Sequence, residues 1–374
     1  MKVALLTWFN EDRNCGQTLQ AYALQHVFDS CYHCETIIVN YKYLNCKKIY
    51  LNNVLYKPYK IYHCIKHKYL KRQLVFDKFV KKYMNVTKYL FSKEKVEDYI
   101  IKNSIKNLIL GSDQLWNPEA GTIPDVMLLN FSKATINKFA YSPSMCPVSK
   151  KSVYKNEIQR IASFLRDYKY IGVREKSAKE MISEFYKEKV INVLIDPVFL
   201  LSDKEWRNLF NLESDNEKYI LIYCMGKIPE SLYSCIDKIM EENSIQTIYY
   251  IETNERKKIP SSWKVLNYVG PIEFLKLIDN AYYVLGDSFH MVAFSLIFKK
   301  NFYVFPGIRE KFIPNSDRIV SLLNIVDMDE RFIDNNDLNL EVIDIDYNKK
   351  FIKVQEYIDY SKNQLDIIIS MMND

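Results

Sequence analysis

Two patterns alternate along most of the chain: short apolar runs rich in β-branched and aromatic residues, and longer stretches with apolar residues at helical spacing. This alternation predicts parallel strands joined by helices, an α/β architecture. The first segment reads as a strand over 3–7, a loop through Asn14, Cys15 and Gly16, a helix over 18–28 and a strand over 36–40. Strands over 107–110, 138–142, 170–173 and 191–195 are expected to share its sheet. Asp196-Pro197 and the apolar 198–201 mark an exit from that layer, with Ser202 or Asp203 capping the next helix. A second alternation follows, with strands over 219–224, 247–251, 282–285 and 301–305 and helices over 230–242, 272–280, 291–298 and 317–324.

The boundaries follow from this pattern. Residues 1–200 form one Rossmann-like, doubly wound domain carrying a basic helical insertion at about 41–106, and residues 201–345 form a second. Residues 346–374 carry an amphipathic helix, at 351–374, expected to pack back across the domain joint. A chain of 374 residues exceeds the usual size of a single core, which agrees with two. Doubly wound sheets bind ligands beyond the carboxyl ends of their strands, so the ligand is expected in a cleft between the domains.

Composition adds three constraints. A hydrophobic share of 48% with 26% charged residues excludes a disordered chain. Eight cysteines at irregular spacing, with no export signal before Asn10 and the charged 11–13, read as reduced thiols in a cytoplasmic protein. The longest apolar run, 281–298, is interrupted by Asp287 and His290 and does not read as a membrane span. The net charge of +6 is uneven, since residues 41–110 hold sixteen lysines and one arginine against four acidic residues. Such a segment is either a solvated lysine-rich surface or a dock for anionic lipid or glycan, the former placing residues 41–106 in water and the latter at the inner face of the membrane. No nucleic-acid recognition motif accompanies the charge, so nucleic acid is not an expected partner.

Candidate chemistry concentrates at strand-to-helix turns. In 285–290 a strand ends in Gly286-Asp287-Ser288-Phe289-His290 and opens into a helix, a turn that aims backbone amides and a positive dipole end at an anion. Asp287 or Ser288 is either a ligand contact or the helix cap. His290, one of five histidines, is either a site residue or a packed core histidine. These three lie too close in sequence to orient one another as a nucleophilic triad. Gly111-Ser112-Asp113-Gln114 follows a strand that ends at the same cleft, with Asp113 alternatively a turn former. Arg174, in Gly172-Val173-Arg174-Glu175, is placed either to grip a carboxylate or phosphate or to pair with a neighbouring carboxylate.

These blocks carry a resemblance. Asn14-Cys15-Gly16-Gln17-Thr18-Leu19-Gln20-Ala21-Tyr22-Ala23-Leu24 resembles the first motif of the polysaccharide pyruvyl transferase family, and Gly111-Ser112-Asp113-Gln114-Leu115-Trp116-Asn117 its second. Phe139-Ala140-Tyr141-Ser142, Val173-Arg174-Glu175, Asp196-Pro197 and Asp287-Ser288-Phe289-His290 are similar to later blocks in the same order. Residues 315–323, followed by Arg331, resemble the family's C-terminal helix and add Arg318 as a candidate. The resemblance implies a fold similar to B-type glycosyltransferases and transfer of pyruvate from phosphoenolpyruvate, with no cofactor or metal, onto hydroxyls of a glycan or lipid-linked sugar. It implies Asn14, Gly16, Ser112, Gln114, Arg174, Asp287, Ser288 and Arg318 as substrate contacts. Cys15 departs from the aromatic usual before that glycine, and Met291 from the glycine usual after the histidine, adding bulk beside the turn.

Phosphoenolpyruvate is doubly anionic, so its pocket needs fixed cations and helix amides. Ketal formation also needs a general acid and a general base. His290 is expected as acid or phosphate clamp, and Asp113 as base or acceptor anchor. Two other readings stand beside this one: a nucleotide-sugar glycosyltransferase of the same architecture, and a catalytically silent glycan-binding protein. A zinc reading of Cys31 and Cys34 with His63 and His67 has twice the usual gap between its pairs. Asp327-x-Asp329 and Asp344-x-Asp346 read as solvated acidic turns.

Overall fold

Val3-Ala4-Leu5-Leu6 is apolar at every position, which suits only a strand covered on both faces. All four residues are fully buried in β1 (Lys2–Leu6), flanked in parallel by β2 (Glu35–Ile38) and β3 (Asn107–Leu110). β4 (Asn137–Ala140), β5 (Tyr168–Val173) and β6 (Asn192–Val193) extend the sheet to the order β2-β1-β3-β4-β5-β6. A second parallel sheet contains β7 (Tyr219–Tyr223), β8 (Thr247–Ile251), β9 (Lys264–Leu266), β10 (Tyr283–Gly286) and β11 (Asn301–Val304) in the order β11-β10-β7-β8-β9. These observations come from a computed structural model that describes residues 1–9, 14–41, 69–145, 151–253, 259–307, 317–333 and 341–373.

Two compact units result, one of residues 1–197 with 363–374 and one of residues 198–362. In the first, α1 (Cys15–Cys31), α2 (Tyr69–Tyr83), α3 (Lys93–Lys102), α4 (Lys151–Phe164) and α5 (Lys176–Ser183) accompany the sheet. Its core centres on fully buried Trp116, whose Nε1 donates to Met127 O at 3.0 Å. The second holds α6 (Asp203–Phe210), α7 (Glu230–Asn243), α8 (Pro271–Asn280), α9 (Phe289–Ile297) and α10 (Asp317–Ile325). There Trp206 is fully buried edge-on to Phe294, 5.4 Å between ring centroids. The long α11 (Tyr347–Asn373) belongs to the second unit through Lys362 and to the first from Asn363.

Local chemistry explains where the elements depart from expectation. α1 starts three residues before the predicted 18 because Asn14 Oδ1 accepts from the amides of Gly16 at 2.9 Å and Gln17 at 3.3 Å. Ser202 caps α6 in a full capping box with Glu205. α9 begins at Phe289, before the predicted 291. The short edge strand β9 and the helix α4 are additional to the predicted elements, while α5 is the helix that opens after the strand-to-helix turn at Arg174. Within the basic segment, α2 and α3 are the described helices, and the stretch between them runs beside β2 through bridges at Ile38–Val86 and Tyr41–Leu90. Residues 42–68 of that segment, including His63 and His67, lie outside the described residues, as does Asn315. None of the described cysteines is in a disulfide.

Candidate functional site

Each sheet has one place where the strand order reverses. In the first the chain builds outward from β1 to β2 and then resumes on β1's other side with β3; in the second β7 has β8 on one side and β10 on the other. Beyond the carboxyl ends of such a pair the flanking loops part, leaving a crevice. Most sequence-derived candidates follow the strands of these two pairs, while Arg174 follows β5 and Arg318 lies on α10.

At the β1/β3 crevice, Gly111 is required twice over: its φ is +124°, and an added Cβ would lie 2.0 Å from Tyr141 O. The residues after it are therefore drawn tightly over the sheet. Ser112 is fully buried, its one hydroxyl proton shared between Ser142 O at 2.9 Å and Asp196 Oδ2 at 3.1 Å and its amide donating to Gln20 Oε1 at 3.2 Å. Gln20 Nε2 in turn donates to Thr7 Oγ1 at 2.9 Å and Trp8 O at 2.8 Å, tying the α1 motif to the end of β1. Asn14 and Gly16 thus shape the first turn of α1, while Gln114 is partly buried and accepts from Asn117 Nδ2 at 3.0 Å.

Asp113 is buried in a left-handed conformation, φ +72°. Its carbonyl accepts from the amides of Leu115 and Ser144, both at 2.8 Å, so the turn is held by backbone and the carboxylate is left over. Among the described residues Asp113 Oδ2, Glu175 Oε2 and Gln17 Oε1 are buried acceptors with no hydrogen-bond partner. A buried acceptor without a donor costs about 1–3 kcal/mol, so each of these oxygens is suited to a hydrogen-bond donor.

Arg174 is also buried, with Nη1 donating to Asp196 Oδ2 at 2.8 Å and Nε to Glu175 Oε1 at 3.0 Å. Burial disfavours its cation, but Glu175, Asp196 and Asp113 outweigh that and hold its pKa above the ordinary arginine value. Of the two sequence readings for Arg174, the structure displays the ion pair: the guanidinium neutralises a buried carboxylate group.

At the β7/β10 crevice, Gly286 is again a close-approach glycine, since a Cβ there would lie 2.0 Å from Tyr223 O. Asp287 does not cap α9; it accepts from the Met225 amide at 2.5 Å and the Gly226 amide at 2.7 Å, lacing the end of β10 to the loop after β7. Ser288 holds the N-cap position, with no capping hydrogen bond from its side chain among the described residues. His290 follows in the first turn of α9, buried, its ring perpendicular to Phe289 at 5.2 Å. The Arg318 guanidinium lies over the other partner of that pair, 5.8 Å from the Phe289 ring centroid. Met291 directs its bulk away from solvent: it is fully buried, with Sδ 2.9 Å from where a Gly286 Cβ would stand.

Sequence reasoning did not single out Gln20, Thr7, Ser142 or Asp196 as members of the first cluster. The available signal was a long polar side chain set in the apolar run of α1, Gln20 between Leu19 and Ala21. Of the acidic pairs, Asp344 is more than a solvated turn, because its Oδ1 accepts from Tyr283 OH at 2.6 Å and Asn301 Nδ2 at 2.7 Å. Among the described residues no cluster of three or more His, Cys, Asp or Glu side chains could hold a metal ion.

Comparison with known proteins adds two findings. The model of the family described as polysaccharide pyruvyl transferase matches residues 14–307, which takes in every candidate except Arg318. Among solved structures, the UDP-GlcNAc 2-epimerase of Methanocaldococcus jannaschii is similar at 12% identity and TM-score 0.50, covering 95% of this chain and 92% of that one. The UDP-GlcNAc 2-epimerase of Neisseria meningitidis bound to UDP-GlcNAc is similar at 10% identity and TM-score 0.51, covering 95% and 100%. At these identities the likeness concerns the fold alone, two Rossmann-like domains of the B-type glycosyltransferase kind. No curated protein matches the chain significantly.

Proposed function

Because the chain belongs to the polysaccharide pyruvyl transferase family and is thereby a transferase, we propose that it moves pyruvate from phosphoenolpyruvate onto two hydroxyls of a surface-polysaccharide sugar or its lipid-linked precursor, as a ketal. The observation that supports this most is the buried Asp113 carboxylate at the β1/β3 crevice, whose Oδ2 has no donor among the described residues. A sugar hydroxyl is the donor such an oxygen calls for, and removing that proton is the step a general base performs.

In this reading the acid protonates the methylene carbon of the enol, and C2 becomes an oxocarbenium centre. The first hydroxyl adds there as Asp113 takes its proton; the second displaces phosphate and closes the ring. Of the two hydroxyl protons one replaces that delivered to the methyl group and the other leaves with phosphate, so the reaction is balanced. His290 serves as acid or phosphate clamp, with the first amides of α9 and Arg318 as the anion-binding elements of the second unit. Arg174 orders Asp196 and Glu175 and has no assigned contact with the donor.

The test combines purified protein, phosphoenolpyruvate and a saccharide acceptor, following phosphate release and the new ketal methyl signal. His290→Ala and Asp113→Asn are each expected to reduce turnover by roughly 10²–10⁴. Phosphate release unchanged in both variants would refute the roles of His290 and Asp113. Competition by a nucleotide diphosphate in place of phosphoenolpyruvate would favour the glycosyltransferase reading, which rests on shared architecture alone.

The basic segment suits an anionic surface at the inner face of the membrane. Tyr89 and Phe91 stack at 5.7 Å while 48% and 56% exposed, in sequence between the exposed Lys88 and Lys95. Aromatic rings flanked by lysines favour the membrane–water boundary. Co-sedimentation with phosphatidylserine vesicles at low salt, lost in Tyr89→Ser/Phe91→Ser, is the expected result; no binding to such vesicles contradicts it. Among the described residues no helix is long and apolar enough to cross a membrane.

A further inference from the structure

A pocket of about 430 Å³ lies against the second half of α1, lined from that helix by Tyr22, Gln25, His26 and Asp29 and from the end of α2 onward by Lys82–Asn85. It is far from the strand-end crevice of its own unit. α1 starts at the carboxyl ends of the strands, and ten residues of helix, about 15 Å, separate Gly16 from His26. The pocket's floor is instead fixed at the start of β2, where Asp29 Oδ1 accepts from the Thr36 amide at 2.9 Å and Gln25 Nε2 donates to Thr36 O at 3.0 Å and Asn85 O at 2.9 Å.

The walls combine flat rings with polar groups of both kinds. Tyr22 and His26 stack at 5.5 Å and 23°, Tyr83 meets Tyr22 edge-on at 6.4 Å, and Lys82 Nζ stands 4.8 Å from the Tyr83 ring centroid. Burial, with a smaller contribution from Tyr83, pushes the Tyr22 phenol up to about 12, so it remains a neutral donor. A phosphate or nucleotide would meet the Asp29 carboxylate, and a hydrocarbon would desolvate Asp29 and Lys82 without return. A neutral sugar satisfies both: its C–H face lies on the rings, its hydroxyls donate to Asp29, and its oxygens accept from Lys82. The volume lies within the range of small-molecule sites.

We propose that this pocket is a carbohydrate-binding site separate from both strand-end crevices, holding one neutral sugar unit of a longer glycan. The sugar assignment rests on the pocket's own chemistry; only its service as an anchor for the polysaccharide under modification rests on the transferase reading. Such an anchor would hold the polymer while a different unit reacts.

Titration calorimetry of the full chain with maltotetraose, cellotetraose and chitotetraose, and with glucose 6-phosphate as the anionic comparison, tests it. At least one neutral tetrasaccharide is expected to bind. His26→Ala and the exposed-site variant Lys82→Ala should each weaken that binding tenfold or more while keeping the wild-type melting temperature and any shift that phosphoenolpyruvate produces. If His26→Ala does not fold, Lys82→Ala decides alone. Absence of binding by all three tetrasaccharides, tighter binding of glucose 6-phosphate, or undiminished binding by the variants overturns the site. Loss of glycan binding in the variants of a protein that shows no response to phosphoenolpyruvate would leave this site standing and remove the phosphoenolpyruvate-donor reading.

Discussion

At Arg174 the planar fork that suits a donor carboxylate is closed on Asp196 and Glu175 inside the first unit. Truncating it leaves buried carboxylates without their counter-charge, so Arg174→Ala is expected to lower unfolding free energy by about 3–5 kcal/mol, read from the urea midpoint. Arg318 differs, being partly exposed and resting on Phe289. Arg318→Ala should change stability by about 0.5 kcal/mol or less while weakening donor binding. Asp287 belongs with Arg174: its carboxylate receives two backbone amides, and Asp287→Asn should cost about 1.5–3 kcal/mol. The sequence could nominate Arg174 and Asp287 because charged groups at strand ends are conspicuous, whereas Arg318 came only from the resemblance of residues 315–323 to the family's C-terminal helix. It could not sort them, because the partners of Asp287 lie 61 and 62 positions away and those of Arg174 include one 22 positions away.

At the scale of elements, strands covered on both faces were the most legible. β1 after Lys2, β3 after Asn107 and all of β7 are continuous apolar runs, and β3 and β8 have the predicted limits. β9 was not legible, since an edge strand of three residues, two of them exposed, has neither alternation nor length to announce it. Helix starts were displaced where a side chain acts as cap outside the apolar pattern, as Asn14 does for α1. One such polar contact gives a pH prediction. Glu97, on α3, is buried, and although burial alone would raise its pKa, the amides of Lys133 and Ala134 hold it below the usual carboxylate value. A depressed folded-state pKa stabilises above the unfolded value of about 4.3 and is lost as pH falls through the folded value. The melting temperature should therefore drop on acidification below about pH 4, and Glu97→Gln should make that drop shallower while lowering stability at pH 7. An acid limb unaltered by the substitution would remove Glu97 as a cause.

For the molecule as a whole, two parallel sheets each bring their candidate residues to the point where strand order reverses, and this is a consequence of topology that no local motif contains. Among the described residues the first unit holds buried acceptors with no hydrogen-bond donor, and in the second the Arg318 guanidinium lies over Phe289 at the start of α9. Two glycines hold this arrangement: Gly111→Ala and Gly286→Ala would each drive a Cβ to 2.0 Å of a carbonyl oxygen, and each should cost at least about 1–3 kcal/mol. The central claim, that the donor is phosphoenolpyruvate, is tested most directly by the thermal unfolding of wild type and Arg318→Ala with phosphoenolpyruvate or UDP-GlcNAc added. A ligand at a hundred times its dissociation constant adds about 2.7 kcal/mol of stability. With phosphoenolpyruvate as donor, wild type shifts clearly upward with that ligand, less so in Arg318→Ala, and not with UDP-GlcNAc; no shift with millimolar phosphoenolpyruvate alongside one with UDP-GlcNAc would contradict this assignment.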